Sequence, residues 1–218
     1  GIVGAMLLRY LYEQHRERQR ELAESQARLQ ALQARIRPHF LFNSMNTIAS
    51  LTRVDADLAE QVVEDLSDLF RATLSDAGEM SMLEREFELA RGYLRIEGQR
   101  LGERLRVQWD VDSVPGDARL PALLLQPLLE NAVYHGIEPA TDGGEITING
   151  RCRHGVISLA VRNSLPEQPV RMVRPGNRMA QQNVRERLDA AFGDRAGLVV
   201  GRVDGRYQVR MHFPWEGL

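Results

Sequence analysis

The sequence predicts an α+β protein, a helical hairpin followed by a layer of helices on one face of a sheet. Three observations predict it. Up to about residue 100, apolar residues recur at helical spacing. From residue 103 the spacing changes to strict alternation. The last third then alternates short strand patterns, tight-turn signals and one amphipathic helix.

The elements follow in order. Residues 8–36 form one helical pattern in which Leu8, Leu11, Leu22, Leu29, Leu32 and Ile36 step by three and four, with His15, Arg18 and Ser25 at the remaining positions of the register. This is a heptad seam with polar interruptions, suited to a parallel dimer. An amphipathic helix packed on its own domain is the blander reading. The long polar stretch between Arg16 and Arg28 argues against it. The helical pattern continues through 39–52. A second helix runs from about Asp57 to Leu74, with Leu58, Val62, Leu66, Leu69 and Phe70 as its stripe, and ends in the turn chemistry of Asp76-Ala-Gly78. Two such hairpins make a four-helix bundle. Ser81 and Glu84 have the spacing of a capping box and predict a third helix there, carrying Phe87, Leu89, Tyr93, Leu94 and Ile96.

Leu105, Val107, Trp109 and Val111 alternate as a strand. Pro121 to His135 reads as a helix. Glu145–Arg151 and Val156–Arg162 read as paired strands around Arg153-His154-Gly155. Residues 164–178 are a Pro-rich loop. Met179 to Phe192 is a helix with Val184, Leu188 and Ala191 on one face. Leu198–Val203 and Tyr207–Phe213 make a hairpin around Asp204-Gly205.

Composition bounds the function. The chain has 218 residues, enough for one or two domains, and 43% hydrophobic and 27% charged residues, as soluble globular proteins have. A formal charge of -2 creates no field that recruits nucleic acid, so no direct nucleic-acid partner is expected. All 28 strongly basic residues are Arg, and no function is attached to that. One cysteine, Cys152, excludes an internal disulfide and any multi-cysteine metal site; in its strand-like run it reads as a small buried hydrophobe. The opening Gly1–Leu8 run is apolar but far short of the ~20 residues that cross a bilayer. With Arg9, Arg16, Arg18 and Arg20 after it, it reads as the last turns of a spanning helix whose cytoplasmic side carries the Arg cluster. A frayed helix end is the alternative.

Two strings carry chemistry. In Arg37-Pro-His-Phe-Leu-Phe-Asn43-Ser-Met-Asn46, the Pro removes a helical donor and loosens the turn that presents His39. Asn43 lies one turn on, on the same face, where its amide can bond one ring nitrogen and leave the other free as a nucleophile. Phe40 and Phe42 are expected to pack into the bundle. A lone helical His is ordinarily a surface or core side chain; here the whole string decides. The second string is Leu125-Gln-Pro-Leu-Leu-Glu130-Asn131-Ala-Val-Tyr-His135-Gly. Taken alone, it is only a set of polar residues near a helix end.

Together with Tyr93-Leu-Arg-Ile-Glu97 and Asn183-Val-Arg-Glu-Arg-Leu188, these strings resemble the LytS-type histidine kinase family, from residue 34 onward. The resemblance implies a GHKL-type ATP-binding domain, ATP and Mg²⁺ as cofactors, and His39 as the phosphoryl acceptor beside Asn43. It implies that Asn131 is the metal ligand and that Glu130 orients a metal-bound water. It divides the chain into 1–36, the end of a transmembrane segment and a signalling coiled coil; 37–102, the dimerisation and phosphotransfer helices; and 103–218, the catalytic domain. Its implied partners are a second copy of the chain and a response regulator of the LytTR type. Its implied location is the bacterial inner membrane, with this portion cytoplasmic.

The sequence departs from the family at the nucleotide motifs. The Asp-x-Gly-x-Gly pattern is Asn163-Ser-Leu165-Pro-Glu167, which keeps an acceptor oxygen for adenine but loses its charge and both glycines. Of the second glycine motif only Gly176 remains, with Arg178 offering a side-chain donor to phosphate in place of backbone N–H groups. A solvated loop position is an equally good account of Arg178. Asn183 is expected to anchor the lid at the nucleotide, and Arg187 to make a structural ion pair. These losses motivate a second reading, a degenerate kinase acting as a dimeric signalling scaffold. A DNA-handling ATPase of the same superfamily leaves His39 and the heptad seam unexplained.

Overall fold

The computed structural model describes residues 38–74, 78–166 and 177–215, and in the helix that opens at Asn177 the side chains of residues 177 and 178 are also outside the described set. The heptad seam of 8–36, the turn at Asp76 and Gly176 therefore lie outside the described residues. The chain divides into two compact units between Phe42 and Asn43.

Helix α1 spans Pro38–Leu51 and helix α2 spans Ala56–Leu74. Asp55 caps α2, its Oδ1 accepting the Leu58 N–H at 3.0 Å. The buried residues of α2 are Ala59, Val62, Leu66 and Leu69; of the predicted stripe, Leu58 and Phe70 are half-buried. Strand β1, Met80–Met82, leads directly into α3, Leu83–Leu101. The capping box at Ser81 does not form. Met82 is the N-cap residue without a side-chain bond, and the first helical N–H groups go to backbone instead: Leu83 to the Ala118 carbonyl and Glu84 to that of Gly116. A neighbouring loop has taken the role of the cap. Ion pairs tie α3 to α2: Arg95 Nε to Asp65 Oδ2 at 2.6 Å, and Arg85 Nη2 to Asp68 Oδ2 at 2.7 Å.

Strand β2 is Leu105–Asp110. Strand β3, Arg119–Pro121, pairs antiparallel with β1 as a small separate sheet. The expected helix from Pro121 is thus shorter. Pro121 closes β3, α4 spans Leu125–Ala132, and a π turn follows over Val133–Ile137. Next come β4 (Gly144–Arg153), β5 (Val156–Asn163), α5 (Asn177–Phe192), β6 (Gly197–Val203) and β7 (Arg206–Pro214).

The main sheet has the order β2-β4-β5-β7-β6, with β2 and β4 parallel and the other pairs antiparallel. Both predicted hairpin turns are present, His154-Gly155 and Asp204-Gly205. Each pair has positive φ at both central residues, which matches the twist of the flanking strands. Ile146, Ile148, Ile157, Leu159, Met211 and Phe213 are buried on one face. Val184 and Leu188 of α5 are fully buried, and Phe192 stacks on Phe213 with centroids 5.8 Å apart. Ala191, expected on that buried face, is exposed, and Phe192 one residue later supplies the contact. Cys152 is half-buried on β4 rather than in the core. The fold is α+β, as the periodicities predict.

Candidate functional site

His39 lies in the first turn of the described part of α1 and is exposed. Asn43, one turn later, is half-buried, and Ser44 is the one buried residue of the helix. On a continuous helix, residues four apart have Cβ atoms about 5–6 Å apart, within reach of a side-chain bond. Phe40 is half-buried, but Phe42 is 70% exposed, contrary to the expected packing. The helical period accounts for this: two residues apart on a helix, Phe40 and Phe42 face nearly opposite sides.

The second constellation forms at the end of α4. Leu125, Leu128, Leu129 and Ala132 are buried, which anchors the helix and fixes the direction of its polar residues. Asn131 is only 5% exposed. Glu130 is half-buried and accepts Nε2–H of Gln126 at 3.2 Å. A carboxamide is costly to bury without a polar role. The helix widens past Ala132 into the π turn, a local form frequent at functional sites, where the Tyr134 and His135 rings meet edge to face at 5.0 Å.

Asn163, the last residue of β5, is 4% exposed, and its Nδ2–H donates to the Ser164 carbonyl at 2.8 Å. It packs on Gly136 of the π turn: a Cβ there would lie 2.1 Å from Asn163 Nδ2. Ser164 Oγ accepts the Glu145 N–H at 3.0 Å, which holds the strand end in place. The fold therefore brings Asn163 against the segment that continues the helix bearing Glu130 and Asn131, although Asn131 and Asn163 are 32 residues apart in sequence.

Gly176 and the side chain of Arg178 lie outside the described residues. Asn183 is exposed on α5. Arg187 is half-buried and donates from Nη2 to the Ala122 carbonyl at 2.6 Å.

One acidic residue escapes sequence reasoning. Glu86 is 2% exposed on α3, and its carboxylate accepts three backbone N–H groups at the start of α4. Burial pushes this carboxyl above its ordinary 4.5, while the three donors and Arg187 pull it back down. The signal was present: Glu86 stands among Leu83, Phe87, Leu89 and Ala90, on the apolar side of its helix.

A family model described as histidine kinase matches residues 27–105. The sensor histidine kinase YpdA of Escherichia coli is 33% identical over 206 residues, covering 91% of this chain and 36% of that protein. BtsS, another Escherichia coli sensor histidine kinase, is 33% identical over 218 residues, covering 99% of this chain and 38% of that protein. The sensor protein LytS of Oceanobacillus iheyensis is 31% identical over 204 residues, covering 88% and 35%. The chain thus spans little more than a third of these relatives. On its strings, its fold and these relatives, the chain belongs to the LytS-type sensor histidine kinase family.

Proposed function

We propose that the chain is the kinase portion of a two-component sensor, phosphorylated on His39 from Mg-ATP. One observation carries the reading. The same chain presents His39 exposed on a helix and holds two buried carboxamides, Asn131 near the end of α4 and Asn163 at the end of β5, the latter packed on Gly136 of the π turn that continues α4.

The donor chemistry at α4 suits the metal. Asn131 and Glu130 offer hard oxygens, which Mg²⁺ prefers, and Mg²⁺ typically takes one or two protein ligands beside waters and phosphates. No group of three or more His, Cys, Asp or Glu side chains among the described residues is arranged to hold a metal by itself. In this reading Asn131 holds Mg²⁺, Glu130 orients a bound water, and Asn163 receives the adenine amino group through its oxygen, its own N–H being engaged by Ser164. Bound Mg²⁺ neutralises charge on the phosphates and the leaving ADP.

His39 supplies the imidazole nucleophile. Asn43 fixes one ring nitrogen, and the other attacks the γ-phosphorus: an N–P bond forms as the O–P bond to ADP breaks. The phosphoryl group then passes to an Asp of a response regulator, by family likeness one of the LytTR type. Residues 37–102 act as the dimerisation and phosphotransfer part and 103–218 as the catalytic part. A second copy of the chain covers the exposed side chains of Phe42 and Met45, 70% and 48% accessible. The parent protein is a membrane sensor with this portion on the cytoplasmic side; no described helix is long and apolar enough to cross a bilayer.

A scaffold without turnover requires neither an exposed His39 nor a buried Asn131. Titration of the chain with Mg²⁺ and a non-hydrolysable ATP analogue tests the choice. Binding that depends on Asn131 supports the kinase, and no binding at millimolar analogue supports the scaffold.

A further inference from the structure

We propose that Glu86 is a positioning residue for the nucleotide site, holding the helix that carries Glu130 and Asn131 from its N-terminal end, together with Arg187. The proposal rests on the reading that α4 binds Mg-ATP.

The geometry is specific. Glu86 Oε1 accepts the N–H of Leu123 at 2.5 Å, and Oε2 accepts those of Leu124 at 2.9 Å and Leu125 at 3.2 Å. These groups sit at the start of α4, where helical N–H groups lack intrahelical partners. Leu123 has φ 57, a left-handed conformation that a leucine rarely adopts. The strained turn belongs to a run whose three successive N–H groups all reach one buried carboxylate. Such strain persists only where the surroundings enforce it. Arg187 of α5 grips the preceding residue through the Ala122 carbonyl at 2.6 Å and lends its positive charge to Glu86.

The far end of the same segment is also held from α3. Arg100 bridges Glu97 at 2.6 Å and Glu138 at 3.0 Å, just beyond the π turn. Arg104, just after α3, donates to the carbonyls of Glu138 at 3.0 Å and Ala140 at 2.8 Å. Helix α3 is thus a frame for α4 at both ends, and its ion pairs join the same frame to α2.

A purely structural cap would lower the melting temperature and leave affinity unchanged well below it. Glu86→Gln and Arg187→Met are therefore titrated at 15 °C, as the full chain, with Mg²⁺ and a non-hydrolysable ATP analogue, and circular dichroism checks folding. The expected result for Glu86→Gln is affinity weakened about tenfold, the scale of exchanging charge-assisted for neutral hydrogen bonds. Arg187→Met weakens it about threefold, and the double variant falls short of the product because the two share one segment. The KM for ATP in His39 phosphorylation rises in parallel, while the rate at saturation stays within about twofold. Folded Glu86→Gln with wild-type affinity overturns the proposal and leaves the nucleotide-site reading intact. If Glu86→Gln does not fold, Arg187→Met decides by the same criterion. A wild-type chain that binds no analogue overturns the site reading, and this inference with it.

Discussion

Gly136 and Asn163 are in direct contact: a Cβ on Gly136 would lie 2.1 Å from Asn163 Nδ2 and 2.9 Å from the Ser164 carbonyl oxygen. The glycine is required by space, since its φ is not positive. Gly136→Ala must push Asn163 aside or open the π turn. Overpacking of this kind costs about 1–3 kcal/mol. Urea denaturation is expected to show that loss, and titration with an ATP analogue a weaker complex. A variant of unchanged stability would mean that the contact is easily relaxed.

Asn131→Ala is expected to reduce binding of the Mg-ATP analogue at least tenfold while leaving binding without Mg²⁺ nearly unchanged, because the side chain is assigned to the metal and not to the adenine. Asn163→Ala is expected to weaken both to a similar degree. Identical profiles for the two variants would contradict the separate roles.

Nucleotide affinity of the wild type is expected to be modest. Asn163 spends its N–H on Ser164 and offers adenine an uncharged oxygen. A neutral hydrogen bond contributes about 0.5–1.5 kcal/mol against about 1.5–3 for a charge-assisted one, a difference near tenfold in affinity. Isothermal titration giving a Kd in the low-micromolar range or below would contradict it.

Acid should weaken the junction of α2 and α3. Hydrogen bonds from Arg71, and then from Arg85, hold the Asp68 carboxyl below its ordinary 3.8. A carboxyl lowered by folding adds stability above its unfolded pKa and loses it as pH falls through the folded value. Asp68 is about a third exposed, so the contribution is small, under ~1 kcal/mol at neutral pH. Asp68→Asn should show that deficit in urea at pH 7 and a diminishing one as pH falls below the ordinary carboxylate range. A deficit that grows on acidification would reverse the sign.

Phe42 and Met45 are each exposed and are assigned to the dimer. Phe42→Glu should shift the chain toward monomer in sedimentation velocity without loss of helix content. A strictly monomeric wild type at high micromolar concentration would contradict the assignment.

The fold was legible wherever one period dominated. The stripe Val62, Leu66, Leu69 and the turn Asp204-Gly205 announced α2 and the last hairpin directly. Three features were hidden for physical reasons. Strands β1 and β3 are three residues each, too short for a period, and their partners lie about 40 residues apart. Ser81 has the chemistry of a cap, but the carbonyls of Gly116 and Ala118 reach those N–H groups first. Glu86 acts on residues 37 to 39 positions away, a relationship that no local spacing encodes. At the candidate site, Asn131 and Asn163 were legible as residue types in order, whereas the packing of Asn163 on Gly136, in the turn that continues the helix of Asn131, required the fold.

His39 is assigned as the phosphoryl acceptor. Incubation of wild type and His39→Gln with γ-labelled ATP and Mg²⁺ tests it most directly. Wild type should take up label that is lost in acid and retained in base, as on a phosphorylated imidazole, and His39→Gln should take up none. Equal labelling of the two proteins would contradict the account.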